Sequence, residues 1–412
     1  MKTLMVLGAG TAGTMIVNKL RKALPRESWE ITVVDRDDEH HYQPGYLFVP
    51  FGGLDPSVVV KSRRKQLVKG VRFIEADVDR VEAEQDTVHL VDGRSLRYDY
   101  LVIASGSTPR PDQSPGMAEG EWRKSIFDFY TLEGATALRD ALQEFTGGRL
   151  VVHVTEMPIK CPVAPLEFAF LVDAWLGEQG LREQTELTYV TPLDAAFTKP
   201  VASGALGHML AERNIALEPE FMLERIDTEA KVLVSYDERE IGFDLLVTVP
   251  LNMGADFVAR SGLGDELNYV PVDKGTFQST AHANVFAVGD ASNIPTSKAG
   301  SVAHFAVETF VDNFVQLIEG KEMAHTFDGH ANCFIESGRG KGMLIDFNYD
   351  TQPLEGTYPV PGVGPMHLLK ETRLNHLGKL SFRWIYWHML LPGRRLPVPT
   401  RMSMAGKHKP AA

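Results

Sequence analysis

The residues of this 412-residue chain that are best suited to redox chemistry are its two cysteines, Cys161 and Cys333. Cys161 precedes an apolar run ending near residue 176, and Pro162 and Pro165 suit the first turn of a helix there. Unpaired N–H groups and the helix dipole favour a thiolate at such a position, and Lys160 acts in the same direction. The stretch therefore predicts a nucleophilic thiol, although a thiol buried as a small apolar group also fits it.

The spacing of the cysteines limits what they can do. Two cysteines far apart do not form a disulfide framework, and without a CxxC pair we expect no metal site. A disulfide between the two cysteines would therefore serve redox chemistry and not hold the fold together. Cys333 lies in HANCFIE, which is followed by SGRGKG and MLIDFNY, and this pattern predicts two strands joined by a glycine-rich turn.

The elements that must position these thiols begin with a dinucleotide-binding turn at the N-terminus. An apolar strand over residues 3–8 runs into GAGTAG and then into a helix, so that the glycines allow close approach to a pyrophosphate at the helix N-terminus. A second strand ends at Asp35, whose carboxylate is placed to accept hydrogen bonds from ribose hydroxyls. The predicted cofactor contacts here are Gly8, Gly10, Thr11, Ala12, Gly13, Asp35 and Arg36. The alternative is a glycine turn without a nucleotide.

Two later strand ends should meet the same cofactor. The apolar YDYLVIASG ends at Ser105 and Gly106, and NVFAVGD ends at Gly289 and Asp290. A helical pattern follows from Ser301, after a loop that holds Lys298 and Gly300. We predict that these residues contact the cofactor, although Lys298 could equally be a solvated surface lysine.

A third buried strand, RLVVHVT, is followed by EMPIKC where an NAD(P)H-binding domain would carry a second glycine turn. A bulky turn with a proline gives a pyrophosphate no close backbone approach, so NADH is a poor candidate for the electron donor. The sequence therefore predicts two Rossmann-like domains of an α/β fold, with a cysteine in the place of the second nucleotide turn.

Charge and hydropathy limit the partners. The net charge of −12 argues against nucleic acid, and no apolar run is long enough for a spanning helix. Met1 and Lys2 lead directly into the first strand, so we expect no cleavable signal peptide. Residues 366–392 combine leucines and aromatic residues with basic ones, which is typical of an amphipathic helix at a membrane surface. A helix packed on the core is the alternative. Under the membrane hypothesis, removal of residues 366–412 should leave a folded protein.

Together these motifs resemble a known family. GAGTAG, VIASGSTP and VFAVGDASNIPTSKAG are similar to the FAD-contacting motifs of the two-dinucleotide-binding-domain flavoproteins, and KCPVAPLE and ANCFIESGRGKG narrow the resemblance to the sulfide:quinone oxidoreductases, with flavocytochrome c sulfide dehydrogenase as the nearest neighbour. The resemblance implies that Cys161 and Cys333 hold a sulfur bridge on one face of the flavin, with quinone on the other face. It implies that Glu167 moves protons and that Lys298 stabilises charge on flavin or quinone. The implied quinone site comprises Phe334, Phe382, Trp384 and Tyr386.

One departure from the family concerns a third cysteine, which many members have upstream and which residues 125–130 lack. We therefore expect non-covalent FAD, and the sulfur product or carrier could differ. The implied reaction begins with attack of sulfide on a Cys161–Cys333 disulfide or trisulfide, after which the Cys161 thiolate is the nucleophile toward the flavin. The alternatives are a type II NADH:quinone oxidoreductase-like flavoprotein and a flavin-bearing membrane sensor or interaction protein.

The expected organisation has four parts. Residues 1–115 and 256–325 form the FAD-binding domain, residues 116–255 form the second Rossmann-like domain, and residues 326–412 carry the second cysteine, the quinone site and the amphipathic helices. The resemblance also implies a homo-oligomer that is peripheral (monotopic) on the cell membrane.

Overall fold

The computed structural model describes residues 1–408; residues 409–412, the end of the predicted C-terminal region, lie outside the described residues. Up to residue 109 the elements are β1 (Lys2–Leu7), α1 (Thr11–Ala23), β2 (Trp29–Asp35), β3 (Glu39–His41), β4 (Val60–Ser62), β5 (Arg72–Glu75), β6 (Val78–Glu82), β7 (Thr87–Leu90), β8 (Ser95–Arg97), β9 (Tyr100–Ile103) and β10 (Ser107–Pro109). The middle of the chain forms β11 (Ile126–Phe127), α2 (Leu132–Glu144), β12 (Gly148–Val154), α3 (Ala164–Glu178), β13 (Thr185–Val190), α4 (Pro200–Glu212), β14 (Ala216–Glu218), β15 (Leu223–Asp227), β16 (Val232–Ser235), β17 (Glu240–Gly242), β18 (Leu245–Val249), β19 (Asn252–Gly254) and α5 (Asp256–Arg260). The remainder forms β20 (Val285–Ala287), α6 (Gly300–Ile318), β21 (Ala331–Gly338), β22 (Lys341–Phe347), β23 (Gly356–Val360), β24 (Gly364–Leu368) and α7 (Arg373–Ile385), which continues as a π-helical turn, Tyr386–Leu390.

The first sheet brings both halves of the predicted FAD domain together. Its order is β20-β9-β1-β2-β5, and every pair in it is parallel. The central strands are almost wholly buried because α1 and α6 cover the sheet, which accounts for their continuous apolar sequences. Since parallel strands end at one edge, the turns after β1, β9 and β20 meet there.

The second sheet has the order β11-β18-β12-β13-β14 and is also parallel throughout. Its central strand β12 leads into the turn that carries Cys161, and α3 follows that turn. Two parallel Rossmann-like sheets in one chain confirm the predicted α/β fold class. The boundaries between the four predicted parts stay predictions.

The C-terminal region is built on a third sheet, β21-β22-β24-β23, against which α7 packs. The predicted pair of strands around the glycine-rich turn at residues 338–340 is present as the antiparallel pair β21 and β22. After α7 the chain crosses to the first domain, where Tyr386, Trp387, Leu390 and Leu391 are buried. Removal of residues 366–412 would uncover this core, and the expectation that the shortened chain would stay folded stays a prediction. Over residues 1–408, none of the helices is long and apolar enough to cross a membrane.

Candidate active site

The N-terminal turn has the shape that a pyrophosphate requires. Gly8 has φ +103°, and a Cβ there would lie 2.5 Å from the carbonyl oxygen of Ala104. A Cβ on Gly13 would lie 1.8 Å from the carbonyl oxygen of Gly8. Gly10, by contrast, faces open space, immediately before the first helical residue, Thr11. Close packing on one side and an open helix N-terminus on the other fit a dinucleotide cofactor.

Asp35 lies at the end of β2, where the sequence places it, but its carboxylate already has partners. Oδ2 accepts hydrogen bonds from the Ala9 N–H at 2.6 Å and from Arg63 at 2.5 Å. Burial raises the pKa of Asp35, against the opposing effect of Arg63. Arg36 is exposed and contacts Asp37. Asp35 therefore fixes the turn through Ala9, and its contact with a ribose, like that of Arg36 with the cofactor, stays a prediction.

The other two strand ends reach the same place. A Cβ on Gly289, which has φ +75°, would lie 3.1 Å from the Cβ of Ala12, so the late motif packs directly on the first turn. The Ser105 hydroxyl is buried and has no hydrogen-bond partner among residues 1–408. Gly106 follows with φ +71°, and Gly300 begins α6. An unpartnered buried hydroxyl between glycine turns fits a polar ligand, and the set as a whole fits FAD.

Lys298 is buried, so its interpretation as a surface lysine is wrong. Its Nζ donates to the carbonyl oxygens of Asp290 at 3.0 Å and Ser292 at 2.9 Å, and it lies 3.7 Å from the centre of the Tyr269 ring. Burial lowers the pKa of Lys298 to about 8. Because these contacts hold the loop after β20 in place, Lys298 has a structural function, and its predicted effect on flavin or quinone charge stays a prediction.

Cys161 is held against that same loop. Its N–H donates to the carbonyl oxygen of Lys298 at 2.6 Å, and its own carbonyl oxygen accepts from the Ala164 N–H at 2.8 Å. The predicted position before a helix is confirmed, since α3 begins at Ala164. Cys161 has φ +45°, a left-handed conformation that is strained for a residue with a side chain. Strain of this kind concentrates at functional sites.

Cys333 comes to the same site from the C-terminal sheet. It is buried on β21, and Ser301 in the first turn of α6 lowers the pKa of its thiol, against the larger effect of burial. Cys333 raises the pKa of Cys161, and Glu167 and Lys379 act on the pKa of both thiols. The two cysteines, both free here, therefore lie near the same charged pair where β21 packs on α3, an arrangement that their sequence positions could not predict.

The protonation of the thiols differs from the sequence prediction. Burial raises the pKa of both, to about 12 for Cys333, and the Glu167 carboxylate adds to the effect. Lys379, from α7, is a cation that lowers the pKa of both thiols. The Nζ of Lys160 donates to Gln43 at 3.1 Å, and its predicted effect on the thiolate stays a prediction.

Glu167 is fully buried beneath the thiols and anchors a polar network. Its Oε1 accepts hydrogen bonds from Lys379 and from the Glu336 N–H, the latter at 2.7 Å. Glu336 in turn contacts His376 at 2.8 Å. The sequence analysis missed Lys379, Glu336 and His376. A charged residue inside an apolar strand, as Glu336 is in β21, was the available signal.

The four predicted quinone residues do not form one group. Phe334 packs on α7 at Gly378, and Phe382 lies 6.5 Å from Tyr42, measured between ring centres. Trp384 is 60% exposed on the opposite face of α7. Tyr386 is buried in the first domain. The Phe382 and Tyr386 rings lie 6.4 Å apart between centres, whereas Trp384 stands apart from them on the surface. All four residues stay predicted quinone contacts.

Tyr386 belongs to a hydrogen-bond chain that reaches the first turn. Burial lowers the pKa of His40 to about 3, so its imidazole is neutral. Its Nδ1 donates to the Ala9 carbonyl oxygen at 3.1 Å, and its Nε2 accepts from the Tyr386 hydroxyl at 2.7 Å. The Tyr386 oxygen accepts from Thr11 at 2.8 Å. The C-terminal segment thereby holds the dinucleotide turn.

We expect Tyr386→Phe to raise the Kd for FAD about 30-fold, since two hydrogen bonds that fix the turn are lost and each is worth about 1 kcal/mol. Fluorescence titration of the apoprotein with FAD measures this. The control is Tyr236→Phe, at a tyrosine that is 72% exposed. An unchanged Kd in Tyr386→Phe would show that the chain of hydrogen bonds does not support the cofactor site.

A cavity of about 440 Å³ opens beside the Cys161 turn. Its lining includes Pro158, Pro162, Lys199, Tyr269 and Tyr349. The Lys199 ammonium lies 5.2 Å from the centre of the Phe347 ring, and burial lowers the pKa of Lys199. The cavity is large enough for a small solute and adjoins the residues on both sides of Cys161.

Comparison with known proteins agrees with this geometry. A family described as pyridine nucleotide-disulphide oxidoreductase matches residues 2–154. The mitochondrial sulfide:quinone oxidoreductase of Mus musculus is 27% identical over 94% of this chain and 86% of its own length. The crystal structure of sulfide:quinone oxidoreductase from Aquifex aeolicus aligns with TM-score 0.80 at 20% identity, over 96% of this chain and 92% of that one.

The chain is also similar to the alternative class of enzyme that the sequence left open. A type II NADH:quinone oxidoreductase of Haemophilus influenzae is 24% identical over 78% of this chain and 82% of its own length. The mouse sulfide:quinone oxidoreductase thus matches more of this chain, and at higher identity, than this NADH enzyme does. The Aquifex structure has the same fold as this chain. The predicted resemblance is confirmed: this chain is an FAD-dependent oxidoreductase homologous to the sulfide:quinone oxidoreductases.

Proposed function

We propose that this protein oxidises sulfide, or a related small sulfur species, and passes the electrons through FAD to a quinone. The observation that supports it most is the hydrogen bond from Cys161 to the loop of Lys298, which puts a thiol of the second domain on the FAD domain, with Cys333 facing the same site. FAD would be held by the three glycine turns and supplies a two-electron acceptor. The absence of a cysteine from residues 125–130 favours non-covalent attachment.

The residues of this chain suit a thiol–disulfide mechanism. Sulfide attacks a Cys161–Cys333 disulfide, forming a persulfide on one cysteine and a thiolate on the other. Lys379 stabilises that thiolate, and Glu167 accepts the proton of the persulfide. Closure of the persulfide and thiolate into a trisulfide would release two electrons, for which FAD held by the glycine turns would be the acceptor. A second nucleophile then removes the extra sulfur and restores the disulfide.

The cavity beside Cys161 supports this assignment. It is lined by Ile159 and Pro162, which flank the Cys161 turn, and Lys199 on its wall would attract an anion such as HS⁻. The turn after β12 is occupied by Met157, Pro158 and Cys161 where an NADH enzyme needs a glycine turn for the pyrophosphate. Reduction by NADH is therefore disfavoured.

The exposed face of α7 supports attachment to a membrane. Leu374, Leu377, Leu380 and Trp384 recur at helical spacing, and each is about half exposed or more. The opposite face packs on the protein through Asn375 and Gly378. The two alternatives from the sequence, a helix at a membrane surface and a helix packed on the core, thus each describe a different side of α7. A peripheral position at the lipid surface would also give access to a quinone dissolved in the bilayer.

We expect the fourfold variant with serine at residues 374, 377, 380 and 384 to bind vesicles of anionic lipid at least about 100-fold more weakly, because each large apolar side chain contributes about 1.5–3 kcal/mol on burial. Co-sedimentation measures this. Melting temperature should hardly change, since the side chains are exposed. The control carries serine at three exposed apolar residues of the second domain, Val201, Met222 and Tyr236. Equal binding by both variants would contradict docking through α7.

The proposed function is tested by steady-state turnover with purified protein in quinone-containing vesicles. Sulfide should support quinol formation and NADH should not. Turnover with NADH alone would establish the type II NADH:quinone reaction, and a yellow protein without turnover on either donor would favour the sensor or interaction function.

A further inference from the structure

A line of buried polar groups leads from the cysteine site to the edge of the exposed face of α7. Glu167, wholly buried on α3, accepts a hydrogen bond from the backbone N–H of Glu336 on β21, so the two residues are neighbours. Lys379 acts electrostatically on both of their carboxylates. Glu336, also buried, contacts Nδ1 of His376 at 2.8 Å. The His376 side chain is 24% exposed. The line therefore starts in the interior and ends at a side chain that solvent can reach.

Two carboxylate oxygens in this line have no partner. Glu167 Oε2 and Glu336 Oε1 are buried and form no hydrogen bond with any of residues 1–408. A buried unsatisfied polar atom costs about 1–3 kcal/mol, so the arrangement is not optimised for stability. Free carboxylate oxygens beside reactive groups are instead suited to receiving protons. Burial raises the pKa of Glu336, although His376 and Lys379 oppose this effect. The Glu336 carboxylate therefore takes up a proton more readily than an exposed glutamate does.

The proposed reaction requires such a route, and this inference rests on the proposed function. Conversion of H₂S into one sulfane sulfur on the cysteines releases two electrons and two protons, and reduction of a quinone to a quinol takes up two of each. The electrons leave through the cofactor. The protons must leave a site enclosed by α3, β21 and α7, where the described charged neighbours are Glu167, Glu336 and Lys379.

We propose that Glu336 and His376 relay protons between Glu167 at the cysteine site and the surface of α7. Lys379 holds a positive charge between the two carboxylates and donates to the Phe334 carbonyl oxygen at 3.2 Å, so it keeps the line in place. His376 lies one turn from Leu380 on α7, so the route opens beside the apolar face that we assign to the membrane. Neither residue needs to contact sulfide.

The test is His376→Ala with chemical rescue. We expect sulfide-dependent quinone reduction to fall about 100-fold, the lower range for loss of a proton-transferring side chain, and added imidazole to restore much of it through the space that the ring leaves. A residue that only supports the fold would not respond to imidazole. The matched control is His208→Ala, which removes the imidazole of another His–Glu pair, exposed, with 3.2 Å between His208 and Glu212. It should turn over normally.

Glu336→Gln provides a second, nearly isosteric variant. It should be as slow as His376→Ala but insensitive to imidazole, because the group that receives the proton is itself changed. His376→Ala at the wild-type rate, or a slow His376→Ala that imidazole does not restore, overturns the relay. If His376→Ala does not fold, a wild-type rate in Glu336→Gln overturns it equally. Failure of wild-type protein to use sulfide would instead refute the proposed function.

Discussion

Cys161→Ser and Cys333→Ser should each slow the reduction of bound flavin by sulfide at least about 10⁴-fold, the size of effect expected when one member of an interdependent nucleophilic set is removed. A hydroxyl cannot form the disulfide that sulfide must attack. FAD should stay bound, since neither thiol belongs to the glycine turns that fit it. Anaerobic mixing followed at the flavin absorption band measures the rate.

The absorbance of bound FAD provides the internal control, because it must match wild type before sulfide is added. Serine is also close to cysteine in size, so the packing around β21 should persist. A normal rate in either variant would mean that this cysteine is structural. Loss of FAD from both variants would mean that the thiols support the cofactor site and do not act on sulfur.

Lys379→Met should lower the free energy of unfolding by about 3–5 kcal/mol, the cost of removing one partner from a buried ion pair. The Glu167 carboxylate would stay fully buried and lose the one cation that contacts it among residues 1–408. The same change should slow reduction by sulfide, because Lys379 is the cation that lowers the pKa of both thiols. Urea denaturation measures the stability.

Two comparisons distinguish the ion pair from a packing effect. Lys379→Met combined with Glu167→Gln should recover more than half of the lost stability, since no buried charge is then left unpaired. Lys321→Met, which breaks an exposed pair with Glu319, should cost at most about 1 kcal/mol. If the double variant is no more stable than Lys379→Met, the charge of Glu167 is not the cause.

The first sheet could be predicted well from the sequence because its determinants are local. The apolar run of β1, the glycines at positions 8, 10 and 13, and the helix after them occur within a few residues of one another. Steric contacts at Gly8 and Gly13 explain why no other residue fits there. The turn after β12 could also be predicted from local sequence, because it lacks the glycines that a second nucleotide turn would need.

The active site was less predictable because its parts come from distant segments. Cys161 and Cys333 meet only because β21 packs on α3, and Lys379 reaches them from a helix whose composition indicated a membrane surface. Amphipathic sequence does not reveal which polar residue on the packed side is buried. Tyr386 and His40 show the same difficulty, since a hydrogen bond between them joins residues 346 positions apart. The homo-oligomer stays a prediction.

Single-turnover reduction of the wild-type flavin tests the central claim most directly. Oxidised protein is mixed without oxygen with sulfide, and separately with NADH, while the flavin band is recorded. We predict rapid bleaching by sulfide and none by NADH on the same timescale. Rapid bleaching by NADH with none by sulfide would contradict the claim that the two cysteines deliver the electrons.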